Sequence, residues 1–246
     1  MVTYLLKKSY RLKDLNEIKF KDLWNEHGVF TTMWIYGKPT KILFFKEHIN
    51  NLIKSIKAYN ILKPFIKKNI LKLLKKNLDT KIKYNHLVRI ALNKETISIS
   101  LRKRLKPKLN FNLKLVNLKR QKPELKNLKY KSILKYLIKI DNSKIDIGLC
   151  FNKKIFETGT SNMFFIKNNK VFSPNNKFYK GITYKFFKTK IKKITHKNIL
   201  VSSLKEYDEI ILIGSGKGVA SVKTINQIKW KRKSLKFYNI LSKYYL

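Results

Sequence analysis

The sequence predicts an α+β protein built as two domains. In its first half, segments rich in β-branched and aromatic residues are interleaved with segments whose apolar residues recur at helical spacing. A polar stretch around Pro123 then separates this half from a second set of strands and helices. With 246 residues and a 43% apolar composition, the chain can build the cores that such domains need. Its 15 Phe and 13 Tyr argue against disorder.

Residues 29–36, VFTTMWIY, predict a strand. Gly37-Lys38-Pro39 signals a turn, and KILFF is expected to return as the hairpin partner. Ile49, Leu52, Ile53 and Ile56 share one helical face over 46–58; Phe65, Ile66, Ile70, Leu73 and Leu74 do so over 64–77. Strands are expected near 87–92, 96–101 and 112–117. Residues 118–130 read as a linker. After it come a helix at 131–140, strands at 145–151 and 163–166, and a hairpin turn at Asn168-Asn169 leading into KVFS. A helix over 183–193, the strands EIILIG and VASVKTI, and a lysine-rich helix over 232–245 complete the chain. The smaller N-terminal domain is therefore drawn at 1–119, the linker at 120–130 and the larger C-terminal domain at 131–246.

Charge is the most unusual bulk property: 57 Lys+Arg stand against 14 Asp+Glu, a net +43. The lysines run from end to end instead of forming a tail or stripe, and only three alanines occur. This reads as drift toward Lys, Ile and Asn under an AT-rich codon supply, and no nucleic-acid partner is expected. The charge nonetheless favours encounter with anionic ligands. A single cysteine, Cys150, excludes an internal disulfide; its apolar setting, IDIGLCF, predicts a buried inert thiol. No apolar run approaches the ~18 residues of a membrane span. No signal-peptide core opens the sequence, so a cytoplasmic location is expected. Four scattered histidines and one cysteine predict no metal site.

Acids are scarce, so an acid inside a basic, apolar stretch is informative. Glu157 lies between KKIF and TGTSNMFF. Alone it reads as a strand-end ion pair. Its setting changes that reading. Gly181-Ile182-Thr183 opens a helix, where backbone N–H groups await an anion. Further on, Gly214-Ser215-Gly216-Lys217-Gly218 breaks a strand with small residues, which let donors approach a phosphate oxygen.

In this order ETGTSNMFFI, NNKVFSP, GIT and YDEIILIGSGKGVASV resemble the class IV pyridoxal-phosphate family, over about residues 125–230. That family holds branched-chain and D-amino acid aminotransferases and aminodeoxychorismate lyases. The resemblance implies pyridoxal 5'-phosphate as cofactor and the fold-type IV, D-amino acid aminotransferase-like, two-domain architecture with the cofactor in the cleft between domains. It also implies a homodimer and a small anionic substrate bearing an amino group. Glu157 would sit against the pyridine nitrogen, keeping the ring protonated and electron-accepting. Ile182, Thr183 and Ser215 would hold the phosphate. The lysine that carries the cofactor lies, in the family, in K-[ST]-x-N-[RY] or L-K-H-x-N. Lys131-Ser132 fits the first pattern and Lys129 the second, with Lys131 preferred. Leu134 takes the place of the usual Asn, and the spacing to Glu157 is shorter than the family's.

Earlier, His27-Gly28-Val29-Phe30-Thr31-Thr32 resembles the family's G-x-F-[ET]-T. Glu47 to Ser55 resembles H-x-x-R-L-x-x-S, with Asn51 where the family's arginine binds phosphate. Lyases acting on aminodeoxychorismate commonly carry F-T-T, and the aminotransferases commonly carry F-E. The resemblance therefore favours a lyase forming 4-aminobenzoate and pyruvate, for folate biosynthesis, over a branched-chain or D-amino acid aminotransferase. Read structurally, Thr31 is simply a β-branched strand residue. Arg89, Arg102 and Arg104 are candidates for substrate carboxylates, because a guanidinium binds them bidentately. A non-catalytic basic binding protein on the same scaffold is the further alternative, favoured by Asn51 and the +43 charge.

Overall fold

A computed structural model describes all residues except 1, 2, 62 and 246. The chain divides into two compact units. The first runs to Arg104 and takes back Leu125–Lys131. Its strands are β1 (Tyr4–Arg11), β2 (Glu17–Ile18), β3 (Val29–Gly37), β4 (Lys41–Ile42), β5 (Tyr84–Leu92) and β6 (Thr96–Lys103). They form one sheet in the order β2-β1-β6-β5-β3-β4, with antiparallel neighbours throughout. Strand alternation sends Val29, Met33 and Ile35 to the same face as Val88, Ile90, Ile97 and Ile99. Helices α1 (Phe45–Ala58) and α2 (Ile66–Asn77) add Ile49, Leu52, Ile56, Ile70 and Leu73 to that core. Each such side chain contributes about 1.5–3 kcal/mol when fully buried. The expected hairpin partner KILFF is shorter than the pattern predicts. Phe44 adopts φ 53° and turns the chain into α1, whose first residue Phe45 packs on the core.

The second unit comprises Leu105–Glu124 and Ser132 onward. It holds β7 (Phe111–Asn117), β8 (Ile145–Phe151), β9 (Lys154–Thr158), β10 (Asn162–Lys167), β11 (Lys170–Pro174), β12 (Ile194–Lys197) and β13 (Ile199–Leu200). It closes with β14 (Glu209–Gly214), β15 (Gly218–Ile225) and β16 (Trp230–Lys231). Nine of these follow the order β12-β11-β10-β14-β15-β7-β8-β9-β13, and β16 pairs with β15. β10 and β14 are buried throughout except at their last residues, as the unbroken runs NMFFI and EIILI require. Phe165, Ile210 and Leu212 join one core, and Phe164, Ile211 and Ile213 join the other. α4 (Ile182–Lys190) and α5 (Lys236–Ser242) bring Tyr184, Phe187 and Leu241 to the second of these. α3 (Lys131–Leu137) follows the unit junction. α5 starts later than the lysine-rich pattern predicts. Buried Glu209 accepts the Phe237 and Tyr238 N–H groups at 2.9 and 3.0 Å and so sets where the helix begins.

The division differs from the one the sequence predicts, 1–119 and 131–246 around a linker. β7 belongs to the second unit, because it lies parallel between β15 and β8. The expected linker is not a free connection either. Val29 bridges Asn127, the Phe30 N–H donates to the Lys126 carbonyl at 3.0 Å, and the Leu128 N–H donates to the Gly28 carbonyl at 2.9 Å. Gly28 is required there, since a Cβ would come within 2.1 Å of the Leu92 carbonyl oxygen.

Candidate active site

Glu157 lies near the end of β9, and its carboxylate is buried. The Arg120 guanidinium, equally buried, donates from Nη2 to Glu157 Oε2 at 2.8 Å and to the Pro123 carbonyl at 3.2 Å. Two buried charges add little net stability against their desolvation cost, but each fixes where the other points. The sequence had not singled out Arg120. It is one of 57 cations and falls in the stretch expected to be a linker.

Downstream of Glu157, Asn162 joins two parts of the unit. Its Nδ2 donates to the Tyr179 carbonyl at 2.6 Å, and its Oδ1 accepts the Gly181 N–H at 3.0 Å. The chain entering α4 is thereby tied to β10. Gly181 is the N-cap residue of α4, and no side chain caps the helix. A first turn of this kind presents backbone N–H donors, including that of Ile182. Thr183 Oγ1 lies 3.4 Å from Ser215 Oγ, at the turn between β14 and β15. Thus Thr183 and Ser215 are brought together at the α4 start, and Asn162 links that place to the Glu157 segment. An uncapped helix start with two hydroxyls fits a phosphate. A carboxylate oriented by an arginine fits a protonated ring nitrogen. The donor set of this unit therefore suits pyridoxal phosphate.

In the first unit Thr31 Oγ1 lies 2.9 Å from His48 Nδ1, both buried. Burial first, and the Lys126 charge second, push the His48 imidazole down from its ordinary 6.5 to about 3. The ring is neutral near pH 7. An unfolded imidazole takes up a proton below about 6.5, whereas the folded one does so only near 3. This contribution to stability is full above pH 6.5 and is lost as the pH falls through that window, on the order of 5 kcal/mol. Chemical unfolding at several pH values should show a shallower acid loss for His48→Gln than for the wild type. Equal slopes would show that His48 does not resist protonation.

Lys131 is exposed at the first position of α3, and Lys129 donates from Nζ to the Asn25 carbonyl at 2.7 Å. Lys126 is a third lysine of this segment. It is half-buried, its Nζ lies 5.1 Å from the Phe30 ring centroid, and its charge acts on His48. Leu125-Lys126-Asn127-Leu128-Lys129-Tyr130 also carries the L-K spacing, five residues farther from Glu157 than Lys131. Asn51, on α1, is half-buried. Arg89 pairs with Asp22 and stacks on the Trp24 ring at 4.3 Å; Arg104 stacks on Trp34 at 3.9 Å; Arg102 is half-buried. Trp24 lies 4.9 Å from Phe30 and 5.5 Å from Tyr130, so these aromatics cluster beside Arg89. Cys150 is buried, and burial pushes its thiol up to about 12, as expected of an inert cysteine. Among the described residues no three His, Cys, Asp or Glu side chains are grouped to hold a metal, and no helix is long and apolar enough to cross a membrane.

A family model described as amino-transferase class IV matches residues 28–225. No curated protein matches the sequence. Solved structures do. A branched-chain aminotransferase from Thermoproteus uzoniensis superposes with a TM-score of 0.79 at 14% identity, covering 98% of this chain and 93% of that one. A Legionella pneumophila protein, provisionally described as a 4-amino-4-deoxychorismate lyase, gives 0.69 at 17% identity over 87% and 88%. A Mycobacterium tuberculosis hypothetical aminotransferase in its pyridoxal-phosphate-bound form gives 0.71 at 12% identity over 97% and 98%.

Proposed function

Since this chain belongs to the class IV aminotransferase family, whose cofactor is pyridoxal phosphate, we propose that it is the lyase converting 4-amino-4-deoxychorismate to 4-aminobenzoate and pyruvate. The observation that carries this reading is Thr31. Its hydroxyl is buried 2.9 Å from His48 Nδ1, at the position where the family's aminotransferases commonly carry a glutamate. When bound, the cofactor supplies an electron sink.

The chain's own groups would act as follows. Glu157, oriented by Arg120, holds the ring nitrogen protonated. The Ile182 N–H, Thr183 and Ser215 bind the phosphate. A lysine amine would hold the cofactor and, once the substrate amine takes its place, would be free to remove the proton from the substrate carbon bearing nitrogen. We assign that amine to Lys126, with Lys131 and Lys129 as its rivals. The C–H bond breaks toward the amine, and the ring C–O bond to the enolpyruvyl group breaks. Enolpyruvate takes up a proton and leaves as pyruvate, and the ring becomes aromatic. The strongly basic chain favours arrival of such a dianionic substrate. A homodimer in the cytoplasm belongs to the same proposal.

Resemblance to a branched-chain aminotransferase favours the second reading, amino-group exchange between amino and keto acids. The test supplies aminodeoxychorismate to protein loaded with pyridoxal phosphate. Equal release of 4-aminobenzoate and pyruvate is expected. Exchange between amino and keto acids without 4-aminobenzoate would replace the lyase by an aminotransferase. Failure to take up the cofactor at all, seen as no new visible absorbance, would leave the non-catalytic binding protein.

A further inference from the structure

Asp146, near the start of β8, is fully buried. Its Oδ1 accepts the Ile147 N–H at 2.8 Å, and its Oδ2 accepts the hydroxyls of Thr158 and Thr160 at 2.8 and 2.7 Å. The same Oδ2 pairs with Lys217 Nζ at 3.2 Å. Lys217 is itself only 8% exposed, donates to Thr160 Oγ1 at 3.0 Å and lies 4.9 Å from the Phe111 ring centroid. An ammonium is strongly hydrated, and lysine is among the residues least often buried. In a chain with so many lysines, one held inside by a carboxylate, a hydroxyl and a ring stands apart.

What this cluster joins is specific. Thr158 adjoins Glu157, and Thr160 lies three residues beyond it. Lys217 is two residues beyond Ser215, in the turn between β14 and β15. The two segments are in close contact: a Cβ on Gly214 would lie 3.1 Å from Ser161 Oγ and 3.2 Å from the Thr160 carbonyl oxygen. Gly218, at φ 74°, lets the turn close while Lys217 reaches Asp146 and Ser215 faces Thr183. A buried ion pair contributes orientation more dependably than stability.

We propose that Lys217 is a positioning residue: its pair with Asp146 and Thr160 locks the Ser215 turn against the Glu157 segment. The group that meets the cofactor phosphate is thereby held at a fixed separation from the group that meets its ring nitrogen. This rests on the pyridoxal-phosphate roles given above, and it holds whichever reaction follows.

The test titrates cofactor-free protein with pyridoxal phosphate and, separately, with pyridoxal, which lacks the phosphate. The thermal midpoint of the cofactor-free protein is recorded alongside. Lys217→Met is expected to weaken pyridoxal phosphate at least about tenfold, a scale of ~1.4 kcal/mol, and to leave pyridoxal nearly unchanged. Lys217→Arg should recover most of the loss. A lower thermal midpoint with undiminished pyridoxal phosphate affinity would reduce the pair to a structural contact and overturn the proposal. Equal loss for both ligands would also overturn it. Should Lys217→Met fail to fold, Asp146→Asn with Lys217→Met removes both buried charges, and the same selective loss is expected of it. Full affinity in that double variant would overturn the proposal. Wild-type protein that binds the cofactor yet makes no 4-aminobenzoate would sink the lyase reading and leave this one standing.

Discussion

Glu157→Gln is expected to lower turnover by about 10²–10³, the scale on which a single preorganised electrostatic contact acts. The amide keeps a carbonyl oxygen for Arg120 Nη2, now 2.8 Å from Oε2, so the fold should survive. It carries no charge, so it cannot stabilise a protonated ring nitrogen. Cofactor uptake should persist, because the proposed phosphate donors Thr183 and Ser215 lie elsewhere in the unit. The expected result is thus a protein that binds pyridoxal phosphate and turns over slowly. Glu157→Ala is a harsher change. It leaves the buried guanidinium without its carboxylate, a loss of about 3–5 kcal/mol when one partner of a buried pair is removed. Adding Arg120→Met to Glu157→Ala should recover part of that stability but none of the activity. Stability and turnover measured on all three variants separate the two effects. A Glu157→Gln enzyme as fast as wild type would remove Glu157 from the chemistry.

The parts of the fold that sequence patterning predicts are those whose burial imposes a pattern. β3, β5, β6, α1 and α2 each turn an apolar face to one core, so their periodicity is visible. β10 and β14 are buried on both faces and read as unbroken apolar runs. β1 gives no such signal. Five of its first six residues are exposed or half-exposed lysines, leucines and a tyrosine, and its strand character comes from pairing with β6, far along the chain. The unit boundary was hidden for a related reason: β7 is placed by parallel pairing with β15, which no local pattern announces. In the candidate site, Glu157, Thr183 and Ser215 stood out because they are acid or hydroxyl residues in unusual company. Arg120, Lys126 and Lys217 did not, because cations are everywhere in this sequence; burial tells Arg120 and Lys217 from the rest, and Lys126 is told by its place beside Phe30 and His48. Asp146 falls inside the expected strand at 145–151 and gives no local signal, although it is one of only 14 acids and is fully buried.

Lys126→Ala is expected to lower turnover by at least about 10²–10⁴, the range for losing a positioned general base, and more if the covalent attachment is lost as well. Lys131→Ala should remain near wild type. The backbone around Lys126 is pinned by Phe30 N–H on its own carbonyl, by the bridge at Asn127 and by Leu128 on Gly28. Its amine lies against the Phe30 ring, and the nearby His48 is kept neutral, so the imidazole adds no positive charge beside an amine that must exchange a proton. Lys131, by contrast, begins a helix in solvent and nothing described orients its amine. A reacting group must be held within a few tenths of an ångström of its target, which a solvated lysine cannot sustain. Borohydride reduction of the loaded protein, followed by peptide mapping, identifies the lysine directly. A label on Lys126, lost in Lys126→Ala and kept in Lys131→Ala, is the expected pattern. A label on Lys131 would return the role to the residue that the K-S pattern first favours, and would require α3 to present its first side chain to the cofactor.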